Sequence, residues 1–116
     1  MDSLFFSYNS TAPEYKIEFP NAFTPNPNGP TNGYYAPGIP NNNVFHPVYK
    51  DVVEYHLRIF NRRGELIFES NDINRGWDGY INARIAAQGV YVWKARGRYS
   101  NGQSFVKFGN VMLIKK

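Results

Sequence analysis

Apolar and polar side chains alternate most cleanly over residues 53–60. Val53, Tyr55, Leu57 and Ile59 fall on one side, and Glu54, His56 and Arg58 on the other. A period of two is the pattern of a half-buried β-strand. Asn61-Arg62-Arg63-Gly64 follows as a turn, and Gly64 can supply the positive φ that a tight hairpin needs. Beyond it, Leu66 and Phe68 are expected to face the core between Glu65 and Glu69. Phe60 and Ile67 fall out of phase and are expected to pair on the hairpin's other face. A second hairpin lies further on. Gly89 opens a long strand with Tyr91, Trp93, Ala95 and Tyr99 on one face and Lys94, Arg96 and Arg98 on the other, and Asn101-Gly102 is its turn. The last strand is predicted over residues 104–115, with a bulge at Gly109-Asn110, where glycine relaxes the ladder. Val111-Met112-Leu113-Ile114 is apolar at every position, which predicts cover on both faces.

The remaining segments are less regular. Tyr15-Lys16-Ile17-Glu18-Phe19 alternates as a first strand and is ended by Pro20. Residues 20–48 show neither a period of two nor one of 3.6, so they cannot build a core alone and should lie as an irregular loop over the sheet. Gly76-Trp77-Asp78-Gly79 reads as a tight turn whose Trp77 ring lids the core while Asp78 bonds backbone. Residues 82–88 are the only helix-friendly stretch and allow one turn at most. Residues 1–16 read as a linker or the tail of an upstream region, and residues 17–116 as one domain.

Composition sharpens this picture. A chain of 116 residues fits one domain and can bury a real core. Nine Phe, nine Tyr and two Trp against two Met are an all-β composition, since aromatic side chains suit pleated, half-buried surfaces. The absence of Cys excludes a disulfide framework, a thiolate zinc site and a thiol nucleophile. No apolar run approaches the roughly 18 residues of a membrane helix, and residues 1–20 show no secretory signal pattern. All eight prolines lie in the first 50 residues, whereas all seven arginines lie after residue 50, where the net charge is +5.

Candidate chemistry is sparse. His46 and His56 stand alone, the carboxylates form no dyad, and no phosphate loop, GxSxG, HExxH or zinc spacing occurs, so an enzyme is not expected. No cofactor or metal is expected either: Asn21, Asn26, Asn28 and Asn32 offer amide oxygens in the 20–35 loop, but residues 21–43 contain no Asp or Glu to hold calcium. Arg62, Arg63, Arg96 and Arg98 could meet phosphates, yet the charge excess is modest and acids are interspersed, so a solvated face is expected and no nucleic-acid partner. Tyr34, Tyr35 and Tyr80 lie in predicted loops and could stack on sugars, which makes a carbohydrate-binding module the first alternative reading.

Several blocks in order resemble one family. They are Phe19-Pro20-Asn21-Ala22-Phe23-Thr24-Pro25-Asn26, the stretch over residues 55–70, Gly76-Trp77-Asp78-Gly79, Gly89-Val90-Tyr91-Val92-Trp93, and the terminal segment from Gly109 to Lys116. Together they are similar to the gliding motility-associated C-terminal domain, the type B sorting domain of the type IX secretion system of Bacteroidota. The resemblance covers about residues 17–116 and implies a non-enzymatic address at the end of a large, adhesin-like surface protein. It implies as partners the secretion translocon, an associated outer-membrane barrel protein and N-terminal cargo domains that would carry the signal peptide. It implies a destination outside the cell or on its surface, reached through the periplasm and outer membrane. Two departures are visible. The acidic loop usual after Thr-Pro-Asn here reads Pro27-Asn28-Gly29-Pro30-Thr31-Asn32-Gly33, and Arg63 stands where the family hairpin usually carries an aromatic.

The fold expected is an all-β antiparallel β-sandwich of about seven strands, immunoglobulin-like in architecture. The residues expected to meet the partner are Asn21, Thr24, Pro25 and Asn26, the tip Asn61, Arg62, Arg63 and Gly64, the turn Trp77, Asp78 and Gly79, and the terminal Val111, Leu113, Ile114, Lys115 and Lys116. A purely structural module packing beside other surface domains is the second alternative.

Overall fold

The structure, a computed structural model, describes residues 15–36, 38–39 and 41–116. They form nine strands and no helix: β1 Lys16–Glu18, β2 Ala22–Phe23, β3 Val48–Lys50, β4 Val52–Phe60, β5 Leu66–Ser70, β6 Tyr80–Ile81, β7 Arg84–Ile85, β8 Gly89–Tyr99 and β9 Ser104–Leu113. A five-stranded sheet runs in the order β2-β9-β8-β4-β5, and β1 pairs with β3 in a second, short sheet. That short sheet, the β6–β7 hairpin and a bridge between Phe45 and Trp77 make the facing layer. The result is a two-layered, all-β sandwich. It is antiparallel with one exception: β2 runs parallel to β9, pairing Ala22 with Met112 and Phe23 with Leu113.

The core lies between the layers. Tyr55, Leu57 and Ile59 of β4, Tyr91, Trp93, Ala95 and Tyr99 of β8, and Phe105, Val111 and Leu113 of β9 are buried against Ile17, Phe23, Phe45 and Trp77. The aromatic rings meet at angles that suit their quadrupoles: Trp77 sits edge-on to Tyr91 with centroids 5.0 Å apart, and Phe19 lies 4.2 Å from Trp93. The irregular segment 20–48 does cover the sheet as expected, and it also supplies core side chains, Phe23, Val44 and Phe45. Trp77 buries its ring fully against the core, as its turn predicts. Residues 1–14, read as linker, lie outside the described residues, but Tyr15 and Lys16 belong to the folded body. Lys16 opens β1, and the Tyr15 ring lies 4.8 Å from that of Tyr99.

Five local expectations are corrected. Val53 is exposed, because the register shifts between Val52 and Glu54. The shift is built against Gly97, where an added Cβ would lie 1.9 Å from the Glu54 carbonyl oxygen. Leu66 is also exposed: a second shift between Ile59 and Phe60 pairs Leu66 with Phe60 on the outer face, while Ile67 and Phe68 pack on the core. Residues 82–88 carry no helical turn. Asn82 and Ala83 both have positive φ, 52° and 66°, the two-residue turn that matches strand twist, and it closes the β6–β7 hairpin. The β8–β9 ladder is unbroken from Ser104 to Leu113, with no bulge at Gly109. That glycine instead faces Trp93, whose indole would stand 3.0 Å from an added Cβ. Finally, only one face of the terminal strand is covered: Val111 and Leu113 are buried, while Met112 and Ile114 stay exposed. The pleat alternates, and the outer face of the large sheet has no second layer over it among the described residues.

Burial pushes the phenols of Tyr35, Tyr49, Tyr55, Tyr91 and Tyr99 up from their ordinary values, with smaller like-charge contributions at all but Tyr91. A raised acid pKa in the folded state means the fold holds protons that the unfolded chain releases. The stability these groups lend is therefore full below about pH 10, the unfolded tyrosine value, and is lost as pH rises beyond it. Alkaline titration followed by NMR is expected to show these five phenols ionising together with loss of the β circular dichroism signal, not before it.

Candidate recognition surface

Asp78 ties the 20–33 segment to the body. Its Oδ1 accepts the Tyr80 N–H at 3.0 Å, the short-range bond that turn chemistry predicts. Its Oδ2 accepts the N–H groups of Thr31 and Asn32, each at 3.1 Å, from 47 and 46 residues away. Arg75 Nε donates to the Asn32 carbonyl at 2.9 Å, and the Gly76 N–H donates to the Gly33 carbonyl at 2.8 Å. The chains cross so closely that a Cβ on Gly33 would lie 1.8 Å from the Gly76 oxygen, and Gly33 holds φ at 77°. Only glycine meets both conditions. Asp78→Ala is expected to cost about 1–3 kcal/mol, because it strips an acceptor from three backbone donors. Chemical denaturation of the variant measures it, and the loss should appear in the midpoint with an unchanged slope.

The same turn holds the Thr-Pro-Asn block. An added Cβ on Gly79 would lie 2.3 Å from the Pro25 ring. The Tyr80 hydroxyl donates to the Asn26 carbonyl at 2.6 Å, and Asn43 Nδ2 donates to the Thr24 carbonyl at 2.8 Å. The adjoining β2 is bonded to the end of the chain: the Met112 N–H donates to the Asn21 carbonyl at 2.9 Å and the Ile114 N–H to the Phe23 carbonyl at 3.0 Å. Lys115 N–H then donates to Gln88 Oε1 at 2.9 Å. Gln88 in turn lines an open groove of about 470 Å³ together with Asn61, Arg62, Arg63, Gly89 and Tyr91. Blocks far apart in the chain are thus neighbours at one end of the sandwich, the end that carries the β4–β5 tip.

Within this end the expected contact residues divide. Trp77, Val111 and Leu113 are fully buried, and Pro25 and Gly79 are buried with them, so their side chains build the body and do not reach a partner. Asn61 shapes the tip: its Oδ1 accepts the Arg63 and Glu65 N–H groups at 2.9 and 3.0 Å, while Gly64 sits at φ 83° as expected. The side chains left facing outward are Asn21, Arg62, Arg63, Ile114, Lys115 and Lys116, with Thr24, Asn26 and Asp78 half-buried behind them. This is a cationic surface, softened by a 3.4 Å approach of Arg63 to Glu65. Sequence reasoning missed Gln88 and Gly33, since their roles arise only from chain crossings.

Other candidate groups are engaged elsewhere. The Tyr35 ring stacks on His46 at 3.7 Å and its hydroxyl donates to the Ile73 carbonyl, so with Tyr80 also committed, Tyr34 alone among the three loop tyrosines stands exposed. They form no sugar-stacking platform. Loop asparagine oxygens close turns, Asn26 onto Asn28 and Asn41 onto Asn43. On the outer face, Arg98 pairs with Glu54 and Arg58 with Glu69. The hydrogen bond from Arg98 holds the Glu54 carboxyl below its usual range, and one from His56, then Arg58, does the same for Glu69. No group of His, Asp or Glu that could hold a metal ion occurs among the described residues.

Comparison with known proteins bears on these features. No curated protein matches the chain. Among solved structures, the crystal structure of CopC from Methylosinus trichosporium OB3b is similar over 53% of this chain and 62% of that one, with 24% identity and a TM-score of 0.38. The chain thus spans less than two thirds of that protein's length. The profile of the CHU_C type IX secretion signal domain matches residues 17–113, from the middle of β1 to the last residue of β9. That span takes in the Thr-Pro-Asn block, the β4–β5 tip, the Gly-Trp-Asp-Gly turn and the final strand, and on it the chain belongs to the CHU_C family of type IX secretion signal domains.

Proposed function

We propose that the translocon of the type IX system, together with an outer-membrane barrel protein, reads this domain as a folded surface and so carries an attached, adhesin-like protein out of the cell. The coarser part follows from the family: the domain is a secretion signal, its kind is not an enzyme family, and its destination is the cell surface or the medium. The observation that supports reading a surface is the meeting of distant segments at the β4–β5 end. Asn21 and Phe23 are bonded to the terminal strand, and Lys115 is bonded to Gln88 beside the arginine tip. A linear peptide signal would need none of these junctions.

The test fuses the full 116-residue chain to the C-terminus of an inert periplasmic reporter in a competent host that expresses the barrel partner. Export of the reporter is expected. Retention in the periplasm would count against the proposal, and normal export of the native cargo without this domain would favour a structural module instead. A double change, Arg62→Glu with Arg63→Glu, separates surface from fold. Both side chains are exposed, so stability should move by no more than about 0.5 kcal/mol while export falls.

A further inference from the structure

Where β4 ends, opposite Val92, the chain leaves the sheet as the tip over residues 61–64, while β8 extends past that pair to Gly89. The gap between tip and strand is the open groove of about 470 Å³. Its sides are apolar, with Ile81, Ala87 and Val90, and its polar rim is Arg62 and Arg63 from the tip with Gln88 from the segment before β8. An apolar cleft with a few convergent polar groups is how binding sites are commonly built. The polar groups here are donors. The Lys115 N–H can only donate, so the Gln88 atom that meets it at 2.9 Å is the amide oxygen, Oε1. What Gln88 has left to offer is its NH2, and the two guanidinium groups offer N–H alone. Glu65, the acid beside the tip, is turned back on it: its Oε1 accepts Asn61 Nδ2 at 2.7 Å and lies 3.4 Å from Arg63 Nε. No Asp or Glu lines the groove among the described residues. The bond to Gln88 also sets the exposed Lys115 and Lys116 beside this rim.

We infer that this groove seats side-chain carboxylates carried on a protruding acidic loop of the partner protein. The inference rests on the secretion reading above and names what the partner presents. Arg62 and Arg63 supply the charge, and the Gln88 amide supplies a directed hydrogen bond. The apolar sides lower the local dielectric, so a carboxylate between them pairs more strongly than it would at an open lysine. Shape decides against an anionic bilayer as occupant: a flat surface meets the tip arginines and leaves Gln88 and Val90 in the groove out of contact.

The probe is a capped heptapeptide of alternating Glu and Gly, with its Gln–Gly counterpart as control, titrated into the full chain by NMR at low salt. The Glu peptide should bind roughly tenfold tighter or better, move the amide resonances of Gln88, Gly89 and Val90, and weaken as salt rises. Equal affinity for the two peptides, shifts confined to the Lys94 and Arg96 face, or no saturable binding would overturn the inference. Gln88→Glu is the decisive variant. Its carboxylate still accepts the Lys115 N–H, so the fold is kept, but the offered donor becomes an anion, and the Glu peptide should lose roughly tenfold or more in affinity. Undiminished binding would overturn the inference. Should that variant not fold, Arg62→Gln, a change at an exposed side chain, should weaken binding in the same sense, and no loss there would overturn it equally. Vesicles of anionic phospholipid are the second probe. They should leave the Gln88 and Val90 resonances in place, and vesicles that displace the peptide from these residues would overturn the choice of a protein loop. Export separates this inference from the reading it rests on. If the wild-type fusion is exported and Gln88→Glu is exported equally well, the inference fails and the secretion signal stands; if the wild-type fusion is retained, both fall.

Discussion

Removal of residues 111–116 is expected to leave the chain unfolded. Two of the lost side chains, Val111 and Leu113, are fully buried, and each is worth about 1.5–3 kcal/mol of burial. The loss does not stop there. The truncation also takes the bonding partners of Asn21 and Phe23, so β2 detaches and the Phe23 ring loses its place against Phe45 and Trp77. A typical domain has about 5–15 kcal/mol in total. Circular dichroism and size-exclusion chromatography should report an expanded chain without a cooperative melt, and a reporter fused to it should stay in the periplasm. A shorter cut of Lys115 and Lys116 alone is the control. It removes exposed side chains and one bond to Gln88, so the melt should shift little. A compact, cooperatively melting product after the longer cut would contradict the assembly described here.

Trp77→Ala is expected to be the most damaging single substitution. The side chain is fully buried, touches the rings of Phe23 and Tyr91 and donates from Nε1 to the Tyr80 carbonyl at 3.2 Å. Truncating a buried Trp costs about 3–5 kcal/mol through lost transfer energy and the cavity left behind. For a domain of this size that lowers the melting midpoint by at least about 10 °C. Trp77→Phe should lose much less, since it keeps most of the ring contact and gives up the hydrogen bond and part of the volume. The bridge between Phe45 and Trp77 is made by backbone and survives both changes. Calorimetry on the two variants separates packing from the hydrogen bond, and a loss at Trp77→Ala no larger than at Trp77→Phe would show that the ring's bulk is not what the core uses. Export should follow the folded fraction, because neither change alters an exposed side chain.

The positions legible in the sequence were those whose pattern depends on their own neighbours. Tyr91, Trp93, Ala95 and Tyr99 share a face because strand geometry alternates regardless of what lies opposite. Gly64 takes its positive φ from the turn it closes. The all-β class followed from aromatic content and period, and the ordered blocks from residue 19 to the chain's end announced the family. What the sequence could not reveal depended on a second strand. Val53 and Leu66 each fit the core side of a local alternation, yet register shifts beside Gly97 and Phe60 turn both outward. Gly109 looked like a bulge and is instead room for Trp93, a residue sixteen positions earlier. Asp78 was readable as a turn former, but its two bonds to Thr31 and Asn32 exist only once the loop has been laid down.

The candidate surface divides the same way. The chain by itself determined which segments matter, because the turn glycines, the Thr-Pro-Asn block and the apolar terminal run are local signals. The tertiary structure alone decided that these segments meet at one end, and that Trp77, Val111 and Leu113 face inward while Arg62, Arg63 and Ile114 face outward. The physical reason is that a periodic pattern states how often a side chain turns but not what stands across from it. Hydrogen-bonded partners and layer contacts between distant segments are chosen by the whole fold, through burial and backbone pairing that no single stretch can encode.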